Sequence, residues 1–272
     1  MDLIVDFTCT YSKDWIGAHK EMNYMDCTGL RGTDMYCSPD SATELERRIA
    51  EYPLAGIHFI DSGNYHYMTR LFTKRVGCPY DLIVFDNHTD CKPSMIPELL
   101  SCGAWAKQVL EEDENLQRLI LIGPPREAIN EIEIDIGNRE KLVTVSREEL
   151  GSIRISEMTD PDVLYRLCRD KMPAEGLMHP LYLSIDKDVL DKEYAMTNWD
   201  QGGMSLDQLK AWLRFFSEEN RKTGYGILAV DICGELPKKD SSVLEAAQAE
   251  KINQRTNEDL IDFIRKTLKF FS

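Results

Sequence analysis

Short apolar runs rich in isoleucine, leucine and valine alternate along the chain with segments in which apolar residues recur every three to four positions. The short runs are apolar at consecutive positions rather than at every second one, which is typical of central strands buried on both faces of a parallel sheet. The candidate strands are 2–7, 56–60, 81–86, 118–122, 141–145, 180–185 and 226–231. Strands that alternate with helices predict an α/β fold, here a three-layer α/β/α sandwich with a mostly parallel sheet.

Two of the helical segments begin with a capping signal, in which a serine is followed three residues later by Glu or Gln. Ser41 and Glu44 predict a helix of about 41–51, and Ser205 and Gln208 give the same signal for a second helix. The second helix carries apolar side chains at three- to four-residue spacing, and this stripe predicts packing on the sheet. Because the sequence has no internal repeat and no long linker, its 272 residues are predicted to form one domain.

The charge balance restricts the partners that the chain can bind. Forty-seven acidic against 32 basic side chains give a formal net charge of −15, which repels phosphate backbones and anionic lipid surfaces. No apolar run approaches the ~20 residues of a membrane span, and the N-terminus carries no basic leader. The eight cysteines include no C-x-x-C pair, so reduced thiols are expected. We therefore expect a cytoplasmic protein that binds neither nucleic acid nor membranes.

Ligand-type side chains follow two predicted strands at the point where each strand ends, which is where functional groups gather in parallel sheets. The first apolar run leads into Asp86, His88 and Asp90, which share one side if the backbone stays extended. The second leads into Asp186 and Asp188, whose like charges would repel strongly unless a cation neutralises them. The two segments together therefore predict a metal site.

A third loop, after the predicted strand 56–60, delivers His66 to the same edge of the sheet. Four carboxylates and two imidazoles suit Mn²⁺ best, with Fe²⁺, Co²⁺ and Zn²⁺ as alternatives. One ion would hardly require all six ligands, whereas two ions about 3.5–4 Å apart can share them. Such a pair of ions also generates a nucleophile at neutral pH. We therefore predict two Mn²⁺ ions bound by His66, Asp86, His88, Asp90, Asp186 and Asp188.

Each motif taken alone has a plainer interpretation. A D-x-H-x-D segment can be a loop whose carboxylates cap a helix, and a lone D-x-D is less specific still. Cys91 beside Asp90 also admits a cysteine nucleophile, although no recognisable signature surrounds it. The metal interpretation is favoured because the motifs occur together, at the ends of predicted strands.

The same segments resemble the motifs of the arginase, or ureohydrolase, family over about residues 56–237. That family has a glycine-led loop ending in its first histidine, then D-A-H-x-D, then S-x-D-x-D with a Gly-Gly segment downstream. The corresponding segments here are Gly63-Asn64-Tyr65-His66, Asp86-Asn87-His88-Thr89-Asp90, Ser184-Ile185-Asp186-Lys187-Asp188 and Gln201-Gly202-Gly203. The chain is thus similar to a divergent member of that family.

The resemblance implies an eight-stranded parallel sheet and a binuclear manganese centre. By the family's pattern, both ions are bridged by Asp86 and Asp186, one is completed by His66 and Asp90, and the other by His88 and Asp188. Asp90 would also orient a bridging hydroxide that attacks the carbon of a guanidino or amidino group, so that a non-peptide C–N bond is hydrolysed. A small-molecule substrate and a homo-oligomeric assembly are further implied by analogy.

Two departures from the family's pattern bear on the substrate. Gly234 stands where the family places its guanidinium-binding glutamate, and Glu235 follows one position later. A shift by one residue turns a strand side chain to the opposite face unless a bulge intervenes, so arginase activity proper is disfavoured, with Glu235 retained as a candidate catalytic group beside Asp90. Trp105 occupies the place of the arginases' proton-shuttling histidine.

The candidates for substrate binding are Lys92, Trp105, Asn198 and Trp199. Lys92 stands where arginases present a polar side chain to the substrate's carboxylate, which suggests an acidic substrate group, although a solvated lysine is the plainer interpretation. Asn198 and Trp199 belong to the loop after Asp188 and could line a pocket mouth. The departures also leave open a second class of function, a metal-binding or scaffold protein of the same fold that has lost catalysis.

Overall fold

The computed structural model describes residues 1–94, 96, 99–153, 157, 160–169, 171 and 176–271. Its centre is an eight-stranded sheet in which neighbouring strands run parallel, and β3 and β6 form a separate antiparallel pair. The strands are β1 (Leu3–Asp6), β2 (Asn23–Asp26), β3 (Tyr36–Cys37), β4 (Ile57–Ile60), β5 (Tyr80–Phe85), β6 (Leu100–Ser101), β7 (Leu116–Ile122), β8 (Leu142–Val145), β9 (Leu181–Asp186) and β10 (Ile227–Cys233).

Helices connect most of these strands and lie against the sheet. They are α1 (Lys13–Ala18), α2 (Pro39–Ile49), α3 (Met68–Thr73), α4 (Trp105–Glu112), α5 (Arg126–Asn130), α6 (Ile136–Arg139), α7 (Arg147–Gly151), α8 (Pro161–Arg169), α9 (Leu206–Lys222) and α10 (Val243–Thr267). Short 3-10 helices occur at Gly63–Tyr65, Lys187–Val189 and Lys238–Asp240. Among the described residues, no helix has the length and apolar character needed to cross a membrane.

The order of the strands brings distant parts of the chain together at one edge. Across the sheet the order is β2-β1-β4-β10-β9-β5-β7-β8. Because parallel strands end at the same edge, the segments that follow β4, β10, β9 and β5 converge there. The register of β10 and β9 also places Cys233 directly beside Asp186. These four neighbouring strands supply the side chains of the candidate site.

Apolar side chains cover both faces of the sheet and form two core clusters. Successive residues of one strand alternate between them: Ile83 of β5 packs in the cluster that contains Phe216 of α9, whereas Leu82 packs in the cluster that contains Leu71 of α3. A sheet buried on both faces between helical layers is a three-layer α/β/α sandwich. The predicted fold class, with its parallel sheet of eight strands, is confirmed.

The apolar runs predicted seven of the eight strands of the main sheet, each to within two residues of its observed ends. The missed strand is β2 (Asn23–Asp26), which lies at the edge of the sheet and buries only Met25 among its four residues. An edge strand that is mostly solvated carries no apolar run, so the pattern gave no signal for it.

One helix begins earlier than its capping signal predicted. The N-cap of α2 is Ser38, whose side chain accepts a hydrogen bond from the backbone N–H of Ser41, and Pro39 follows at the first helical position. Ser41 instead donates its hydroxyl to the backbone carbonyl of Arg31 at 2.6 Å. The assignment of Ser41 as the cap was therefore wrong, whereas the capping box of α9 at Ser205 is confirmed.

Candidate metal centre

His66 reaches the edge of the sheet through a tight loop after β4. The chain passes through Asp61, whose φ is +49°, and through the 3-10 helix that begins at Gly63, and His66 caps the end of that helix. A Cβ at Gly63 would lie 2.7 Å from Oδ2 of Asp186 and 3.0 Å from Cδ1 of Trp199. A side chain at Gly63 would therefore collide with the site, which explains the glycine that leads this loop.

Backbone amides hold the carboxylates at the ends of β5 and β9. The N–H of His88 donates to Oδ1 of Asp86 at 2.6 Å. The N–H of Asp188 donates to Oδ1 of Asp186 at 2.9 Å, and that of Asn87 donates to Oδ1 of Asp188 at 2.9 Å. Amide donors of this kind orient an ionised carboxylate, so the local backbone pre-organises three of the predicted ligands.

One cluster of ligand atoms surrounds Nδ1 of His66. This nitrogen lies 3.2 Å from Oδ2 of Asp86, 3.1 Å from Oδ2 of Asp90 and 3.7 Å from Oδ2 of Asp186. All four side chains are almost completely shielded from solvent. Donor atoms at these separations could hold one small cation between them.

A second cluster lies beside the first and shares Asp86 with it. Nδ1 of His88 is 3.4 Å from Oδ1 of Asp86 and 2.8 Å from Oδ2 of Asp188. Asp86 therefore turns one carboxylate oxygen towards His66 and the other towards His88. The ligand atoms of His66, Asp86 and Asp90 lie within 4.8 Å of one another, as do those of Asp86, His88 and Asp188. A carboxylate shared between two such groups could bridge two neighbouring cations.

Further polar groups orient the two ligands on the His66 side. Nε2 of His66 lies 2.9 Å from Oγ of Ser184, so the second ring nitrogen is engaged as outer groups commonly engage it at metal sites. Nε1 of Trp105 donates to Oδ2 of Asp90 at 2.6 Å, and the indole ring is tilted against the ring of His66. Trp105 is completely buried, and its contacts with Asp90 and His66 hold these two side chains in place.

The electrostatics of the cluster fit a cation. Burial, followed by the charges of Asp188 and Asp86, raises the pKa of Asp186 to about 7, and burial with the charge of Asp86 raises the pKa of Asp188 to about 7. Burial opposes the protonation of His88, but its hydrogen bonds to Asp188 and Asp86 outweigh that effect and raise its pKa to about 12. A divalent ion bound here would supply the positive charge that these buried carboxylates need.

Nδ1 of His66 gives an independent test of that fit. The residue is 1% exposed, and among the described residues this nitrogen has no partner with hydrogen-bond geometry. A buried polar atom that is left unsatisfied needs an explanation, and an imidazole nitrogen facing carboxylate oxygens is explained by a role as a metal ligand. The donor set therefore fits divalent metal.

A cavity of about 230 Å³ opens over the two clusters. Its walls include five of the six predicted ligands, Asp86, His88, Asp90, Asp186 and Asp188. Lys92 and Trp199, both predicted to bind substrate, also line it, together with Met35, Tyr36 and Cys102. A small molecule in this cavity would lie directly against the ligand clusters.

The other predicted substrate-binding residues lie behind the wall of the cavity. Asn198 donates from Nδ2 to Oδ1 of Asn64 at 3.0 Å, and Trp199 donates from Nε1 to the same oxygen at 2.9 Å. Asn64 thus positions the loop that carries the tryptophan, a contact that no sequence motif predicted. The indole N–H of Trp105 is hydrogen-bonded to Asp90, so Trp105 orients a predicted ligand rather than facing the cavity.

Glu235 is directed elsewhere. Its Oε1 forms an ion pair with Nζ of Lys187 and accepts a hydrogen bond from Nδ2 of Asn257 at 2.8 Å. Gly234, with a φ of +93°, turns the chain between the end of β10 and Glu235. The described residues that line the cavity do not include Glu235, so the geometry gives no support to its prediction as a catalytic group. The irregular turn at Gly234 sends its carboxylate towards α10.

Fold and site together define an α/β protein in which carboxylates and imidazoles suited to a divalent metal cluster at the carboxyl edge of a parallel sheet. The chain belongs to the arginase family, whose sequence model matches residues 53–255. An uncharacterised protein of Thermotoga maritima is 28% identical over 232 residues, which cover 85% of this chain and 78% of that protein.

Solved structures of the same fold are more distant in sequence. Proclavaminate amidino hydrolase from Streptomyces clavuligerus superposes with a TM-score of 0.61 at 14% identity, over 97% of this chain and 92% of that chain. Formimidoylglutamase from Bacillus subtilis superposes with a TM-score of 0.61 at 13% identity, over 98% and 85%. Arginase from Entamoeba histolytica gives a TM-score of 0.55 at 14% identity, over 94% and 96%.

Proposed function

We propose that this chain is a hydrolase that uses two divalent cations to cleave a non-peptide C–N bond in an amidine, a guanidine or an amide. The observation that carries the proposal is the position of Asp86, which contributes one oxygen to the cluster of His66 and the other to the cluster of His88. Residues 1–272 would form one domain that carries this activity, and its substrate would be a small molecule. A cytoplasmic location and a homo-oligomeric assembly stay predictions.

The cations would be held by the six predicted side chains. Asp86 supplies a ligand atom to both clusters, and Asp186, which lies near His66, would be a second shared ligand by the family's pattern. His66 and Asp90 belong to one position, and His88 and Asp188 belong to the other. When bound, two such ions activate a water molecule as a nucleophile and polarise the group under attack. The oxygen and nitrogen donors of these six residues suit Mn²⁺, with Fe²⁺, Co²⁺ and Zn²⁺ as alternatives.

The chain's own residues supply orientation and exclude bulk water. Asp90 accepts the indole N–H of Trp105 on Oδ2, which restrains the carboxylate that faces both His66 and the cavity. We assign to Asp90 the role of orienting the attacking water. Trp105 is completely buried and packs its ring against that of His66, so it shields this side of the cluster from solvent.

The substrate would enter between Lys92 and Trp199. Lys92 is the cation on the cavity wall, and among the described residues its ammonium group forms no ion pair. An ammonium so placed favours a substrate that carries a carboxylate at the end remote from the scissile bond. Trp199 presents its ring close to that of His88, with centroids 5.5 Å apart, and would form one wall for the substrate's apolar part.

A second candidate function rests on Gly234 and Glu235. The position at which the resemblance expects a guanidinium-binding glutamate is a glycine, and the following glutamate is engaged by Lys187. A protein of this fold that binds metal without turnover would tolerate both changes. The guanidine substrates of arginases are disfavoured by the same observation.

The proposal is tested by measuring metal content and hydrolysis on the same samples. We expect about two divalent ions per chain after reconstitution. Agmatine, guanidinobutyrate, formiminoglutamate and acylated amines form the substrate panel, and release of ammonia, urea or amine is the readout. Asp188→Ala should lower the metal content and abolish turnover, while Asp207→Ala, an exposed aspartate at the start of α9, should change neither.

The outcomes separate the two candidate functions. Turnover that requires metal and is lost in Asp188→Ala would support the hydrolase. Full metal loading without turnover on the whole panel would favour the binding or scaffold protein. A chain that takes up no divalent metal would contradict both.

A further inference from the structure

Cys233 lies inside the cluster, although the sequence motifs do not include it. It is the last residue of β10 and pairs in register with Asp186 of β9, so the two side chains lie next to each other at the same edge of the sheet. Its Sγ is 3.3 Å from Oδ2 of Asp186, and the residue is 1% exposed. The thiol therefore shares a buried space with a predicted metal ligand.

The backbone beside Cys233 explains how the thiol comes so close. Gly234 follows with a φ of +93°, and a Cβ at that position would lie 2.5 Å from Oδ1 of Asp186. Because Gly234 has no side chain, the end of β10 can lie directly against the carboxylate of Asp186. The same close approach brings Sγ of Cys233 to the other carboxylate oxygen.

Three donor atoms then face one point. Nδ1 of His66 is 3.7 Å from Oδ2 of Asp186, Sγ of Cys233 is 3.3 Å from the same oxygen, and the three atoms all lie within 4.8 Å of one another. Two ligand atoms that each lie about 2.0–2.3 Å from one ion are at most about 4.6 Å apart, so both of these separations to Oδ2 of Asp186 allow a shared ion. The unsatisfied Nδ1 of the buried His66 is the second observation that marks this point as a ligand site.

We propose that Cys233 is a ligand of the cation on the His66 side, bound through its sulfur as a thiolate. The inference rests on the proposed metal centre and adds a seventh donor to it. As the metal–sulfur bond forms, the thiol proton passes to solvent. A thiolate is a soft donor, so this position should prefer Zn²⁺, Fe²⁺ or Co²⁺ to Mn²⁺, while the His88 side keeps only oxygen and nitrogen donors.

A different role for Cys233 makes opposite predictions. A neutral thiol could donate a hydrogen bond to Asp186 and orient that carboxylate without contacting the ion. In that case the protein would bind metal with oxygen and nitrogen donors alone. The two roles are separated by any measurement that detects a metal–sulfur bond directly.

Cobalt supplies such a measurement in the full chain. The visible d–d bands of Co²⁺ report that the ion is bound, whereas a near-ultraviolet sulfur-to-cobalt charge-transfer band appears only when a thiolate is a ligand. We expect the charge-transfer band in the wild-type chain and in Cys91→Ser, a control for the buried cysteine next to Asp90. Cys233→Ser should lose this band and retain the d–d bands.

X-ray absorption on the zinc-loaded wild-type chain keeps the test valid should Cys233→Ser fail to fold. One sulfur per pair of zinc ions is expected at about 2.3 Å, beside nitrogen and oxygen at about 2.0–2.2 Å. Metal uptake with only the lighter donors, or a charge-transfer band that survives in Cys233→Ser, would overturn the role of Cys233 and leave the proposed hydrolase intact. Absence of cobalt and zinc uptake would overturn the metal centre itself, and this inference with it.

Discussion

The indole N–H of Trp105 donates a 2.6 Å hydrogen bond to Oδ2 of Asp90. Trp105 is completely buried, and the resemblance to arginases had assigned its position to a proton-shuttling group. An indole N–H donates a hydrogen bond but keeps its proton, so Trp105 cannot act as a shuttle. It acts instead on the ligand, by fixing the orientation of the carboxylate that faces His66.

Trp105→Phe should therefore weaken metal binding. Phenylalanine retains most of the packing but removes the hydrogen bond, and loss of an outer contact of this kind costs about 10- to 100-fold in metal affinity or activity. Competition against a chelating indicator measures the affinity. Trp212→Phe, which alters an equally buried tryptophan of α9, is the matched control and should leave the affinity unchanged. Equal affinities in wild type and Trp105→Phe would contradict the role assigned to the hydrogen bond.

The burial of Asp81 should make the free energy of unfolding depend on pH. It is fully buried at the start of β5, neither carboxylate oxygen has a hydrogen-bond partner among the described residues, and burial raises its pKa to about 6 despite the charge of Arg118. When the pKa of a carboxyl group is higher in the folded than in the unfolded chain, its contribution to stability is fully present at pH values below the pKa of the unfolded chain. That contribution is lost as pH rises through the folded value, here between about pH 4 and pH 6.

Asp81→Asn should therefore stabilise the chain relative to wild type at pH 8 more than at pH 4. The difference is on the order of 2–3 kcal/mol, since each pKa unit corresponds to about 1.4 kcal/mol. Urea unfolding in the presence of a chelator, at several pH values, gives the free energy of unfolding without a contribution from bound metal. A constant difference between the two proteins across this pH range would show that Asp81 has an ordinary pKa.

The fold was predictable from sequence because a strand that is buried on both faces consists mainly of consecutive apolar residues. Strands such as β5 and β9 are buried at every position and appear as continuous apolar runs. The edge strand β2 buries one residue of four and gave no such signal. The start of α2 was misplaced because Ser38 and Ser41 are both acceptable caps, and only the observed backbone, with Pro39 at the first helical position, distinguishes them.

The candidate site was predictable in part for a similar reason. Asp86, His88 and Asp90 are close in sequence, and so are Asp186 and Asp188, so spacing alone grouped them. Cys233 joins the cluster only through the pairing of β10 with β9, a contact across 47 residues that local spacing does not reveal. The contact of Asn64 with Trp199 and Asn198 spans more than 130 residues and was missed for the same reason.

Gly234 should resist replacement by any side chain. A Cβ there would lie 2.5 Å from Oδ1 of Asp186 and 2.8 Å from the backbone nitrogen of Lys187, and its φ of +93° strains every residue except glycine. Gly234→Ala should lower the free energy of unfolding by more than about 1 kcal/mol and also weaken metal binding, because Asp186 must move. Denaturant unfolding and metal titration measure the two effects.

Gly77→Ala is the control for Gly234→Ala, because a Cβ at Gly77 meets no heavy atom within 4 Å and its φ is not positive. It should change neither quantity appreciably. Gly234→Glu, which places the family's glutamate at its usual position, should be at least as unstable as Gly234→Ala and should gain no activity on guanidines. Stable, metal-loaded Gly234→Ala would show that β10 can move away from Asp186 at little cost.

Lys187 and Glu235 should depend on each other for stability. Their side chains are 0% and 7% exposed and form an ion pair, and Asn257 of α10 contacts both. Removing one partner leaves the other charge buried without compensation, so Lys187→Met and Glu235→Gln should each destabilise the fold by about 3–5 kcal/mol. The double variant should lose much less than the sum of the two, as denaturant unfolding of all four proteins would reveal.

The same four proteins decide whether Glu235 is structural or catalytic. A structural Glu235 makes the losses in stability non-additive, and the double variant, once folded, retains its metal and its turnover on any substrate found for the wild type. If Glu235 is catalytic, the opposite result is expected. The Glu235→Gln variant then loses turnover, while the free energy of unfolding of that variant stays near that of wild type. The first pattern is expected, because the carboxylate is held by Lys187 and Asn257 and the cavity wall is formed by other residues.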